Sequence, residues 1–423
     1  MKYWITLCLI CLLAFGPVIV QAQIISARFN TTVYSWEQQL LNDETANHMR
    51  AYQVAQFSVA KFGVKGLSFH TYLNMSSDFA EKAVDDPRVW MYNCYLRYQA
   101  IKSLDVSVGR QRVYAGVGYG TIDGLQLKYI YQDWASLKVY AGTMAPLRDT
   151  FEIGDMNADE LSWGFHLTTS KWKRIRAGLS FAQQSRVAVP YSKAGVFSGA
   201  YRLDQPVSAL QRQLVGIDLK GIVTSNIKVQ TRLDYNFSVH EIKRSDIGCT
   251  YQSTKFEVGV DYIYRTPYFD YNSIFWVFDV KPNTEIGLKG QYKWQAHRFH
   301  ANVANISFDG ESSQRLGIGW SWKTLFLGLH NRSGFGGDMT GLTASYQYPI
   351  QKILSLIVSG NLYNYKLYDG AESETAFAGT IGVNTRLGKR LSLLGQLHYL
   401  NNVYFSSDMR FFVQANYAFT FKN

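Results

Sequence analysis

The sequence predicts an all-β fold, a transmembrane antiparallel up-and-down β-barrel of about 22 strands (range about 16–22), with short turns at one end and longer loops at the other. Three observations predict it. Apolar residues recur with period two along most of the chain, the links between these runs are alternately short and long, and no shift of composition marks a second domain in 423 residues.

The pattern is clearest between Ser103 and Thr143. Leu104, Val106 and Val108 alternate with Ser103, Asp105 and Ser107. After a Gly-rich link, Leu125, Leu127, Tyr129 and Tyr131 alternate with Gly124, Gln126, Lys128 and Ile130, and Leu137, Val139 and Ala141 follow across a tight link at Gln132 to Ala135. Period two makes these strands, and the tight link makes the last two a hairpin. Their apolar face fits either the core of a soluble sandwich or a barrel wall turned to lipid, and the rest of the chain decides.

Residues 1–22 read as a secretory signal peptide, with Lys2 ahead of an apolar run and Val20 and Ala22 placed for cleavage before Gln23. The run is shorter than the roughly 20 apolar residues a membrane-spanning helix needs. Cys11 lacks the small residues that precede a lipidated cysteine. Residues 23–423 then form a single barrel domain, whose first strand, about Ala27 to Glu37, follows at once. Soluble single cores of that size are rare, whereas a closed barrel needs no thick interior.

Aromatic residues make up 15% of the chain, with 29 Tyr, 34 Gly and only 8 Pro, a balance suited to strands, turns and aromatic girdles at membrane interfaces. Once the leader is gone, Cys94 and Cys249 remain, which excludes a disulfide framework and leaves no Cys/His spacing for zinc. The net charge of +11 favours anionic partners. Its cations are spread singly through strands without a basic run, so nucleic acid is not among those partners.

Read from the C-terminus, Phe411, Val413, Ala415, Tyr417, Phe419 and Phe421 alternate with Phe412, Gln414, Asn416, Ala418 and Thr420. Leu391 to Leu400 pairs with Phe377 to Arg386 through residues 387–390, and Leu354 to Tyr363 with Leu342 to Tyr348 through residues 349–352. Further tight turns fall near Trp322, Trp294, Gln252, Thr224, residues 170–173 and Trp134. Longer links run over Asn331 to Met339, Asp369 to Glu374, Asn401 to Asp408, Ala145 to Asp159 and Arg186 to Arg212. Trp134, Trp172, Trp294 and Trp322 all fall at short turns, where a ring of aromatics at headgroup depth is expected.

Period two also sorts the charges. The inward face is expected to carry Lys128, Lys138, Arg176, Lys220, Lys228, Arg232, Lys255, Arg265, Lys289, Lys293, Arg298, Arg315, Arg332 and Arg386, against Asp105, Asp218, Asp234, Glu257, Asp261 and Glu285. Of these, Lys128, Lys138, Arg176, Lys228, Arg232, Lys289, Arg298, Arg315 and Arg386 are the candidate pore-lining residues. Rings of Lys and Arg favour anions over cations. A structural role competes with that reading, since many of these cations have carboxylates within cross-strand reach.

No catalytic residues, metal ligands or cofactor are expected. The histidines belong to no HExxH motif, and His297 and His300, three apart on a strand, point to opposite faces. There is no GxSxG elbow. The glycines from Gly116 to Gly120 lack the Lys-Ser/Thr ending and following helix of a phosphate loop, and read as a flexible loop or bulge.

The aromatic-rich final strand resembles the last strand of bacterial outer-membrane barrels. Val108-Gly109-Arg110-Gln111-Arg112, followed by Asp123-Gly124-Leu125, resembles porin-like and alginate-export-type outer-membrane proteins. The resemblance implies passive or facilitated diffusion of small polar solutes through the lumen, with Arg110, Gln111 and Asp123 near a constriction. An equally simple role for this motif is a bulge at Gly109 and Gly124 and an ion pair between Arg110 and Asp123 that fixes register. No long constriction loop stands out beyond Arg186 to Arg212 or Thr266 to Asn283.

The resemblance also implies the outer membrane of a Gram-negative bacterium, with the lipid bilayer, lipopolysaccharide and, during biogenesis, the barrel-assembly machinery as partners. The expected function is a non-enzymatic channel for small hydrophilic, preferentially anionic solutes. The alternative is a barrel component of a polysaccharide export or secretion machinery. A homotrimer is compatible with such a barrel, although no helical or disulfide element advertises one.

Overall fold

In strand after strand, alternate side chains are large, apolar and exposed, while their neighbours are polar or small. Val108, Leu125, Val139, Ile286, Leu288, Ile318 and Leu342 are exposed, and each is flanked on its own strand by glycine or polar residues. Exposed apolar residues on one face of every strand suit a wall whose outer solvent is lipid. Val106, Leu127 and Val139 share that outer face.

The structure, a computed structural model, describes residues 24–39, 45–61, 63–81, 86–145, 160–172, 174–185, 210–267, 281–368, 370–405 and 407–422. The leader at residues 1–22 lies outside them, as do most of residues 145–159, 186–212 and 266–283, where long or inward-folding loops were expected.

The strands in chain order are β1 (Ile24–Gln39), β2 (Thr45–Ala60), β3 (Leu67–Asp78), β4 (Arg88–Tyr98), β5 (Leu104–Ala115), β6 (Gly118–Tyr131), β7 (Ala135–Met144) and β8 (Leu161–Thr169). They continue with β9 (Ile175–Ser185), β10 (Leu210–Ile222), β11 (Ile227–Asn236), β12 (Glu241–Gln252), β13 (Phe256–Arg265), β14 (Asn283–Trp294) and β15 (His297–Phe308). The last are β16 (Glu311–Trp322), β17 (Leu325–Gly334), β18 (Met339–Gln351), β19 (Leu354–Tyr365), β20 (Glu374–Leu387), β21 (Leu391–Asn401) and β22 (Asp408–Lys422).

Each strand pairs antiparallel with the next, and β1 closes the 22-stranded sheet on β22 through Ile24–Lys422 to Tyr34–Phe412. Closure removes sheet edges and satisfies backbone hydrogen bonds from within the wall, which hydrocarbon surroundings require. Both ends of the described chain lie at the end of the barrel that carries the short turns, while β7 and β9 end, and β8 and β10 begin, at the opposite end. Trp134, Trp172, Trp294 and Trp322 all lie at the short-turn end, with Lys171 Nζ 5.5 Å from the Trp134 ring.

One ladder is short. β4 and β5 pair only from Cys94–Arg110 to Tyr98–Val106, and β6 and β7 only from Ile122–Met144 downward. Residues 112–120 therefore pair only within this hairpin and with neither neighbouring wall strand. Among the described residues, the two clusters of buried hydrophobic side chains both contain residues of this stretch: Val113, Ala115 and Ile122 against Tyr140, and Val117 against Ala182 and Leu214.

Candidate functional site

The unpaired stretch is a hairpin folded into the lumen. The link expected to be a flexible loop or bulge is instead a two-residue turn, Gly116-Val117, with Gly118 to Gly120 already inside β6. The bend is made by glycine. Gly109, Gly124 and Gly142 are register partners on β5, β6 and β7, and Gly109 has φ +123°, where a side chain is strained. A Cβ on Gly124 would come within 2.5 Å of Gly142 Cα, so the three backbones meet as they do only without side chains.

Beyond this bend, Val113, Ala115 and Ile122 turn onto the inner wall and bury against Tyr140 and Met144 of β7. Burial of Val113 and Ile122 stabilises the fold by about 1.5–3 kcal/mol each. The tip crosses several wall strands. Val117 N donates to Ser180 Oγ at 3.1 Å on β9, and Ser180 Oγ donates to Gly216 O at 3.3 Å on β10. Arg232 Nη2 of β11 reaches Gly116 O at 3.4 Å. Gly216 leaves the hollow that Val117 fills, since a Cβ there would lie 2.3 Å from Val117 Cγ1.

The three constriction candidates come together at the base of this hairpin. Arg110 Nε and Nη2 donate to Asp123 Oδ1 and Oδ2, each at 2.7 Å, and both residues are buried. Gln111 Nε2 donates to Gly124 O at 3.0 Å and Ser107 O at 3.1 Å, while Ser107 Oγ donates to Gln111 Oε1. A bidentate pair with its remaining neighbours hydrogen-bonded fixes orientation as well as energy.

The opposite face of the hairpin looks across the lumen. Tyr114 and Tyr119 are register partners there and are 59% and 58% exposed. The Arg112 guanidinium stands 5.0 Å from the Tyr114 ring centroid, and that of Arg212 lies 5.9 Å from Tyr119, with Nη1 donating to its hydroxyl at 2.9 Å. This platform escaped the sequence reading. Its signal was the alignment of Gly109, Gly124 and Gly142, visible only once the strand register is known.

Every strand-borne cation expected to face inward occupies an inward position of the sheet, while Lys255 falls in the turn between β12 and β13. Their surroundings differ. Lys138 Nζ donates to Tyr114 O at 2.9 Å, and Arg232 binds Asp234 as well as the turn carbonyl, so both hold the hairpin. Lys289 pairs with Asp261 at 2.7 Å and Arg315 with Glu285. Lys228 Nζ donates to Gln252 Oε1 at 2.7 Å.

Six of the cations lie at one mouth, while Arg265 and Arg332 lie toward the opposite, long-loop ends of β13 and β17. Arg176, Lys220, Lys228, Lys293, Arg298 and Arg386 all lie at or within two positions of the short-turn end of their strands. Several stand directly opposite a like charge: Lys128 and Lys138, Arg176 and Lys220, and Lys293 and Arg298 are register partners. Among the described residues no group of three or more His, Cys, Asp or Glu side chains could hold a metal ion.

A concavity of about 880 Å³ lies on the outer face of β13 to β20, where Gly290, Ala301, Ala344 and Gly360 leave a dip between Tyr292, Phe299 and their apolar neighbours. It faces away from the polar lumen. Apolar walls of this kind suit acyl chains rather than hydrophilic solutes.

No family model matches the chain, and no curated protein sequence matches it. Among solved structures it is similar to a mutant of the ferric enterobactin receptor PfeA from Pseudomonas aeruginosa, with a TM-score of 0.59 at 9% identity over 93% of this chain and 80% of the receptor. It also aligns with OccAB4 from Acinetobacter baumannii at a TM-score of 0.44 and 12% identity, over 95% of this chain and 99% of that one. OccK3 from Pseudomonas aeruginosa gives 0.42 and 7%, over 96% and 99%. At such identities the likeness to the receptor shows the fold alone: the chain is a closed all-β antiparallel barrel of the kind that crosses membranes with strands.

Proposed function

We propose that this chain is an outer-membrane channel, not an enzyme, through which small hydrophilic solutes diffuse with a preference for anions. The observation that carries this reading is the set of like charges placed opposite one another on inward positions near the short-turn mouth: Arg176 and Lys220, Lys293 and Arg298. Like charges directly opposite on neighbouring strands destabilise a sheet, by amounts on the order of a few tenths of a kcal/mol to 1 kcal/mol. The fold gains nothing from these pairs, whereas a pore that concentrates anions does. Arg110, Gln111 and Asp123 act in this reading as the base that sets the hairpin across the path, and Arg112, Tyr114, Tyr119 and Arg212 as the surface a passing solute touches.

Single-channel recording in a planar bilayer tests it. Under a salt gradient the reversal potential is expected to have the sign of anion preference. A barrel that never conducts, or one whose reversal potential favours cations, would overturn the reading.

A further inference from the structure

A second cavity, of about 610 Å³, lies on the inner face where the barrel closes on itself, and its lining is predominantly polar. Its walls come from β1, β2, β3, β4 and β22 and from the turn between β20 and β21. On each wall strand the inward residues bracket an outward one, as Ser26 and Arg28 bracket Ala27, so the cavity opens to the lumen.

Register places its charges. Arg28 is the partner of Ala418 across the β1–β22 seam, and Ala418 N donates to Arg390 O at 2.9 Å on the other side. Arg390 precedes Leu391 and keeps the inward parity of β21, and Gly388, at φ +74°, turns the chain so that Lys389 and Arg390 rejoin the wall there. The small side chain of Ala418 is thus flanked by two arginines whose backbones stand about two strand spacings, roughly 10 Å, apart.

From Arg28 the same row continues through Gln56 and Tyr72 to Asn93. The row nearer the mouth offers hydroxyls, with Ser26 Oγ and Thr420 Oγ1 3.2 Å apart and Ser58 beside them. No carboxylate lines the cavity, and among the described residues Arg28, Lys389 and Arg390 enter no salt bridge. The nearest ion pair on the neighbouring wall, Arg97 with Asp105, is self-compensated.

We propose that this notch is a binding site for a multiply charged oxyanion group, with inorganic phosphate as its simplest ligand, held between Arg28 and Arg390 over Ala418. Guanidinium forks match such oxygens in pairs, Lys389 adds charge, and the amide and hydroxyl groups of Gln56, Asn93, Ser26 and Thr420 can complete the shell. The site lies in the lumen at the short-turn mouth, so its ligand is a solute in water and not a lipid headgroup. It requires only that the inner face be wet, and so stands or falls separately from conduction.

Calorimetric titration of the full-length folded barrel in a zwitterionic detergent with inorganic phosphate tests the assignment. Binding is expected in the unmodified protein, and R28Q and R390Q are each expected to weaken it by about tenfold, as for loss of one charge-assisted contact. A418F, which fills the floor and keeps both arginines, is expected to weaken it comparably, and K352Q, in the turn between β18 and β19, to leave it unchanged. Absence of phosphate binding by the folded barrel, equal binding by R28Q, R390Q and A418F, or an equal loss in K352Q would each overturn the site. So would recovery of the arginine-dependent signal only when an anionic lipid such as phosphatidylglycerol replaces phosphate.

Discussion

Arg110 and Asp123 face each other across β5 and β6 with both carboxylate oxygens engaged at 2.7 Å, at the level where the hairpin leaves the barrel wall. The pair is buried although its place in the alternation would turn it outward, because the hairpin has rotated its two faces with respect to the wall. Removing one partner takes the bidentate counter-ion from a buried charge. D123N is expected to cost about 3–5 kcal/mol and to release the hairpin, giving a lower unfolding midpoint and a larger, noisier conductance. R110M/D123L, which removes both charges, is expected to recover much of the lost stability in the same melting experiment.

Gly216 offers a way to displace the hairpin without touching that pair. Its missing Cβ is the space occupied by Val117, so G216L is expected to push the tip off the wall while the β10 ladder stays intact. Strand content measured by circular dichroism should be unchanged, and single-channel conductance should rise. An unchanged conductance in a folded G216L barrel would mean that the hairpin does not limit flow.

Tyr114 and Tyr119 are exposed, so Y114A/Y119A is expected to alter stability by no more than about 0.5 kcal/mol per site. Its effect should appear in transport. Liposome swelling with solutes of equal size is expected to show that solutes with a flat apolar face lose their advantage over those without one, because the rings flanked by Arg112 and Arg212 are gone.

The short-turn mouth should dominate ion preference. Replacing Arg176, Lys228, Arg298 and Arg386 together by glutamine is expected to move the reversal potential toward zero, whereas the same change at Lys289 and Arg315, already paired with Asp261 and Glu285, should move it far less. Relief of repulsion predicts that R298Q alone, which removes the charge opposite Lys293, slightly raises the unfolding midpoint.

The architecture was legible because period two is a local property: Leu125, Leu127 and Tyr129 reveal their shared face whatever lies beside them. The same property hid the hairpin. The apolar residues change parity at Gly109 and Gly124, from Val106 and Val108 to Val113 and Ala115 and from Leu125 to Ile122, but a change of parity reads equally as a bulge within the wall and does not separate a strand in the wall from one that has left it. The distinction rests on Gly142, a partner that only register supplies. Likewise, sequence could place Lys289 and Lys293 on one face, but that the first meets Asp261 and the second meets Arg298 is a fact about neighbouring strands.

The ladder between β4 and β5 has five residue pairs, fewer than any other junction in the described circumference. A hoop yields where it is held by the fewest rungs. The upper part of β4, around Trp90 and Tyr92, is therefore where the wall should breathe first, its amides trading hydrogen for deuterium ahead of those on β14 or β15, which share twelve pairs. By turning two strands inward to narrow its bore, the barrel has placed its weakest lateral join beside the element that narrows it.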